Sequence, residues 1–180
     1  MSTLILDPPP VEIQALIERR KRLDQDRKDE IWEGVYHMAP APRNTHGDIK
    51  QQLAVLFDAP ARQAGLRPMI AGEFNIGEQE DFRVPDGGLL RGYEDAIWNP
   101  TAALAVEIVS PGDESWQKLP FYAAHHVDEL LILDPATRSI DWLGLEESTG
   151  EYRAIERSDL IDLGPSELAK RIEWPPAETE

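Results

Sequence analysis

The 180-residue chain contains no cysteine, which excludes disulfides and thiolate metal sites. No apolar run approaches the roughly 18 residues of a transmembrane helix, so no membrane span is expected. The first ten residues lack a basic start and a long apolar stretch, so no secretory signal is expected there. A cytoplasmic location fits these absences. Positive charge is also scarce: 18 Lys and Arg stand against 34 Asp and Glu, a net charge of −16. Nucleic-acid partners usually meet a basic surface, so the deficit weighs against tight nonspecific binding. It leaves a local site open, because local charge steers a ligand and the sum does not. Many of the acids, such as Glu146, Glu147 and those from Glu173 to Glu180, lie outside the segments that carry chemistry.

What is present is ordinary for a globular protein: 41% hydrophobic and 29% charged residues. The length favours one domain, at roughly 100–200 residues each. Residues 1–27 read as a flexible, Pro-rich lead followed by a helix over 11–23 with one apolar face. Residues 28–172 read as the single domain, and 173–180 as an acidic tail. Within the domain, 31–38 alternates around Gly34 and predicts one strand. A helix is expected over 46–64, capped by Asn44 or Thr45, with Ile49, Leu53, Leu56 and Phe57 as its buried stripe. Strands are expected over 67–76, 82–90, 102–109 and 129–133, and a loop over 91–100. A helix over 114–126 carries Pro120, which either kinks it or marks its true start. A hairpin over 139–145 and 151–155 and a short helix over 165–171 complete an α/β domain: a mixed β-sheet flanked by helices.

Two of the strand-like runs carry an acid where charge is expensive. Asp86 follows Pro85, whose missing N–H implies a sheet edge or a bulge. Glu107 stands between Val106 and Ile108, where an unpaired carboxylate costs several kcal/mol or is neutralised. Its pKa is therefore expected to rise. Lys118 follows on the predicted helix, four residues after Glu114. Two carboxylates and an ammonium suit metal-assisted phosphodiester cleavage, in which an attacking water and a developing negative charge both need help. Blander readings stand beside these. Asp86 before Gly87-Gly88 is also a turn signal, and Lys118 with Glu114 is also an ordinary surface pair.

The ordered segments E-I-W-E-G-V-Y-H-M-A-P at 30–40, V-P-D at 84–86, V-E-I-V-S-P at 106–111, E-x-x-x-K-x-x-x-Y at 114–122 and L-L-I-L-D-P at 130–135, with a helix opening at His46, resemble a known family. It is the Uma-type bacterial family, described as restriction endonucleases, within the restriction-endonuclease-like or PD-(D/E)XK superfamily. The resemblance spans about residues 28–170. It implies a restriction-endonuclease-like fold, a Mg2+- or Mn2+-dependent nuclease acting on nucleic acid with DNA as the expected substrate, and a homodimer. Asp86 and Glu107 are then the metal ligands, with Glu30 or Glu33 in support. The superfamily's usual lysine position is Val109 here, so the cation is expected from Lys118 on the following helix. His46 and Trp116 become candidate substrate contacts, and Tyr122 a packing and hydrogen-bonding residue. The competing expectation is a catalytically inactive module of the same fold that binds a protein or nucleic-acid partner, favoured by the charge of −16 and the displaced lysine.

Overall fold

The computed structural model describes residues 3–5, 10–110, 112 and 114–176; the remainder of the expected lead and of the acidic tail lies outside the described residues. The strands run β1 (Thr3–Ile5), β2 (Glu30–Trp32), β3 (Val35–Met38), β4 (Arg67–Pro68), β5 (Asn75–Glu78), β6 (Asp81–Arg83), β7 (Gly87–Leu90), β8 (Trp98–Asn99), β9 (Leu104–Ile108), β10 (Glu129–Asp134), β11 (Ser139–Glu146) and β12 (Glu151–Ala154). The helices are α1 (Val11–Arg22), α2 (Asn44–Gln63), α3 (Leu119–Ala124) and α4 (Pro165–Arg171), with a 3₁₀ turn, Ser115–Lys118, leading into α3. Pro120 thus sits in the first turn of α3, where its missing N–H is harmless. Among the described residues no helix is long and apolar enough to cross a membrane.

The strands divide between two mixed sheets. One has the order β1-β3-β2-β6-β5-β8 and the other β12-β11-β10-β9-β7-β4. In the second, β9 and β10 lie parallel at the centre, joined through the 3₁₀ turn and α3. They are almost wholly apolar because both sheet faces are covered. Leu104, Val106 and Ile108 share a core with Ile49, Leu53, Phe57 and Ala61 of α2 and with Leu168 of α4. Burying each large apolar side chain of that stripe contributes about 1.5–3 kcal/mol. Ala105 joins the other core, with Phe121 and Tyr122 of α3, Ile76 of β5 and Phe74 just before that strand.

Five expectations are corrected here. The alternation over 31–38 is a hairpin, β2–β3, because Glu33 and Gly34 both take positive φ and close a tight two-residue turn. The stretch 67–76 contributes β4 to one sheet and the start of β5 to the other. The stretch 82–90 likewise splits into β6 and β7, with Val84-Pro85-Asp86 passing between the sheets. Part of the expected lead, residues 3–5, pairs with β3 (Leu4 opposite His37). The expected loop over 91–100 holds the short strand β8.

Helix α1 forms as its spacing predicts, yet it buries none of its residues. Asp29 anchors it instead. That carboxylate accepts from Arg20 at 2.9 and 2.7 Å, from Tyr36 at 2.6 Å and from the Ala39 amide at 2.8 Å. At the β7–β9 contact, a Cβ on Gly88 would stand 2.3 Å from the Leu104 carbonyl oxygen and 2.7 Å from the Phe74 ring. The glycine is required by that close approach.

Candidate active site

The passage from β6 to β7 places the first acid. Pro85 has no N–H for a ladder, so the chain leaves the first sheet there. The Val84 amide donates to Glu30 Oε1 at 2.7 Å, and the Asp86 amide joins the second sheet by donating to Val106 O at 2.9 Å. Asp86 immediately precedes the Gly87–Val106 pair, which sets it opposite Glu107. Residues opposed across antiparallel strands share a face. The Asp86 side chain also accepts from the Ile108 amide at 2.9 Å, so it is held by backbone at the end of β9.

Glu107 faces away from α2, toward the 3₁₀ turn and α3, which return Lys118 and Tyr122 to it. Lys118 Nζ donates to Glu107 Oε1 and Oε2 at 3.1 and 3.2 Å and to Glu30 Oε1 at 2.9 Å. Tyr122 OH donates to Glu107 Oε1. Glu30 Oε2 accepts from Trp32 Nε1 at 2.6 Å. Burial is the largest influence on Glu107 and pushes its pKa up to about 7; Lys118 and Tyr122 pull it down, while Asp86 and Glu30 push it further up. Burial alone would lower Lys118. Glu107, Glu30 and Asp86 outweigh it, and the ammonium is held well above the usual lysine value. Lys118 is thus a permanent cation between two carboxylates, and Glu114 is not its partner in this arrangement.

A cavity of about 160 Å³ opens over this group, lined by Glu30, Asp86, Glu107 and Lys118 together with Lys28 and His46. Lys28 Nζ donates to Pro85 O at 3.1 Å and stands 3.7 Å from Asp86 Oδ1. His46 Nε2, from the first turn of α2, stands 3.8 Å from Asp86 Oδ2. Lys50, one turn further along α2, donates to Gly72 O at 3.0 Å; burial, then Lys28, pushes its pKa down. Lys28 thus brings a cation to the edge of this cavity, on a chain whose total charge is −16.

The sequence-derived residues thus separate. Asp86, Glu107, Lys118, Glu30 and His46 line one cavity, with Tyr122 bonded to it from behind. Glu33 does not join them: it is exposed at the β2–β3 turn, where its amide donates to Asp81. Trp116 lies in the 3₁₀ turn, half exposed and outside the cavity lining. Sequence reasoning missed Lys28, His37 and Glu114, which also line the cavity. His37 was legible only through hairpin pairing, since it stands opposite Glu30 once the Glu33-Gly34 turn is recognised.

The oxygen donors fit a hard divalent cation. Magnesium usually takes one or two protein carboxylates and completes its octahedron with water and substrate oxygens. Asp86 and Glu107 would supply those two, and a bound cation would offset the burial that pushes the Glu107 pKa up. Among the described residues, no three His, Cys, Asp or Glu side chains are grouped to hold a metal by themselves.

This arrangement of mixed sheets and helices is an α/β fold. It is shared with a crystal structure from Anabaena variabilis ATCC 29413, described as a putative nuclease belonging to DUF820, at TM-score 0.64 and 15% identity over 79% of this chain and 90% of that one. The sequence matches Uma2, described as "Putative restriction endonuclease", over residues 14–171, and the chain belongs to that family. None of the curated proteins matches it.

Proposed function

We propose that this protein is a divalent-metal-dependent endonuclease that hydrolyses phosphodiester bonds, with DNA as substrate and a cytoplasmic homodimer as the working form. One observation carries the reading: Lys118 bridges Glu30 and Glu107 in the cavity that also holds Asp86, within a chain of a nuclease family. Asp86 and Glu107 would hold Mg2+ or Mn2+, which polarises a phosphoryl oxygen and acidifies water. Lys118, a fixed cation, stabilises negative charge as the phosphoryl group is attacked. Glu30 orients that ammonium and is itself oriented by Trp32 and the Val84 amide. His46 and Lys28, at the cavity edge, contact the phosphate backbone. The family affiliation supports the nucleic-acid substrate, and Lys28 at the cavity edge supports an anionic ligand in spite of the total charge.

The alternative is an inactive binding module of the same fold. It is favoured by the closure of Glu107, whose oxygens are already taken by Lys118 and Tyr122. A cleavage assay with Mg2+ or Mn2+ on single- and double-stranded DNA and RNA separates the two. Metal-dependent cutting of DNA that disappears in Asp86→Ala is the expected result. If the wild type cuts none of the four substrates and calorimetry detects no binding of Mn2+, the inactive module is correct.

A further inference from the structure

Within this reading, hydrolysis needs a group that takes a proton from the attacking water. The described cluster around Lys118 offers none: the ammonium is permanently charged, and Glu107 is engaged by Lys118 and Tyr122. A different side chain on the same cavity has the required form. His37, on β3, lines it and is almost fully buried. Its Nδ1 stands 3.3 Å from Glu114 Oε2. Its ring stacks on Trp32, centroids 4.0 Å apart and 18° from parallel. Trp32 is in turn fixed by its bond to Glu30. A carboxylate at Nδ1 selects the tautomer with the proton there and leaves a lone pair on Nε2. No protein hydrogen bond to Nε2 is present among the described residues, and that nitrogen is not among the buried polar atoms lacking a partner.

We infer that His37 is the general base of the proposed reaction and that Glu114 is its positioning residue. The step balances as follows. The water oxygen bonds to phosphorus while one of its protons passes to His37 Nε2. The bond from phosphorus to the leaving oxygen breaks, and that oxygen takes a proton from solvent water in the open cavity. The imidazolium then returns its proton to solvent, so that one water has been added across the phosphodiester. The groups facing His37 favour a neutral resting ring. Burial is the largest influence and pushes its pKa below the usual histidine value; Glu114 and Glu30 partly offset this, and Arg83 adds to it.

The inference rests on the nuclease reading, and its test keeps the two apart. General-base catalysis contributes about 10²–10⁴-fold, so His37→Ala should lower kcat/KM by about that factor. Its Mn2+ affinity, measured by calorimetry, should stay at the wild-type value. Added imidazole should restore part of the lost rate, which a purely structural histidine would not allow. Glu114→Gln should lower the rate and move the acidic limb of the pH profile to lower pH, because Glu114 holds the ring's pKa up. That shift separates His37 from Glu107, which also titrates near neutrality. A His37→Ala enzyme that cleaves at the wild-type rate, or one that is folded, slow and deaf to imidazole, overturns the base assignment and leaves the nuclease reading standing. A wild type that cleaves nothing overturns both. If the variants do not fold, ring-nitrogen chemical shifts of the wild type decide: the Nδ1–H tautomer is expected, and the Nε2–H tautomer rejects the assignment.

Discussion

Two glutamates lie buried on the neighbouring central strands, Glu107 on β9 and Glu129 on β10, and they are served in opposite ways. Glu129 meets neutral dipoles. It accepts from Trp142 Nε1 at 2.8 Å and from the Asp159 amide at 3.0 Å, with Ser158 and the Leu160 amide as further donors. Glu107 meets an ammonium, a phenol and two other acids beside a cavity. Burial pushes both carboxyls above the usual range, so burial alone does not separate them. What separates them is the kind of neighbour. A ring of fixed donors holds a loop to a sheet and leaves no room for a ligand, whereas a cation among several acids at a cavity leaves charge to be rearranged.

The strongest test of that contrast is Lys118→Ala. Removing a donor aimed at developing charge typically lowers kcat by about 10²–10³-fold, and that loss is expected here in single-turnover cleavage. Metal binding should largely survive, because Lys118 is not a ligand. Lys118→Arg should not restore the rate, since a planar guanidinium does not replace a compact ammonium. Wild-type cleavage by Lys118→Ala would place Lys118 with the structural groups.

The next test exchanges the two glutamates' roles. Glu129→Ala orphans buried donors and should lower unfolding free energy in urea by about 1–3 kcal/mol while leaving cleavage per folded molecule unchanged. Glu107→Gln should abolish cleavage and weaken Mn2+ binding, with a smaller effect on stability. The pH dependence carries the sign. A carboxyl whose folded pKa is raised binds more protons folded than unfolded, so its contribution to stability falls as pH rises. For Glu107 that window runs from its ordinary 4.5 to about 7. The Tm difference between wild type and Glu107→Gln should therefore shift against the wild type across that range. A difference that does not change with pH would show that Glu107 is not shifted upward.

The smallest effect is expected from Tyr122→Phe. It removes one of the hydrogen bonds to Glu107 and leaves the ring in the core. A loss of about 0.5–1.5 kcal/mol in urea unfolding and a further rise of the Glu107 pKa in a carboxyl NMR titration are expected. An unchanged Glu107 titration would remove Tyr122 from the group.

Asp86, Glu107 and Lys118 stood out in the sequence because each broke an apolar or helical pattern, and the fold brings them to one cavity. Helices α2 and α4 and the β11–β12 hairpin were legible for the same reason: periodicity of burial is local information. The division into two sheets was not. Alternation continues across Glu33-Gly34, the strand-like run continues across Pro85, and neither says which sheet a residue joins. The apolar spacing of α1 marked the helix but not what holds it, which is the ion pair to Asp29. Glu129, an acid at the start of an apolar run, shows that a site cannot be read from such an acid alone. The contact between His37 and Glu114 was invisible because they meet from segments 77 residues apart.

The placement of Glu30 and Glu107 on different sheets gives the Lys118 contact a mechanical meaning. The ammonium is a rivet across the seam between two plates that the chain itself crosses at links such as Val84-Pro85-Asp86. Anything that draws Glu107 away from Lys118 loosens the rivet at one end while Glu30 still grips the other. Reaction chemistry and the angle between the plates are then geared to one another, and a change that frees the seam disarms the site in the same motion.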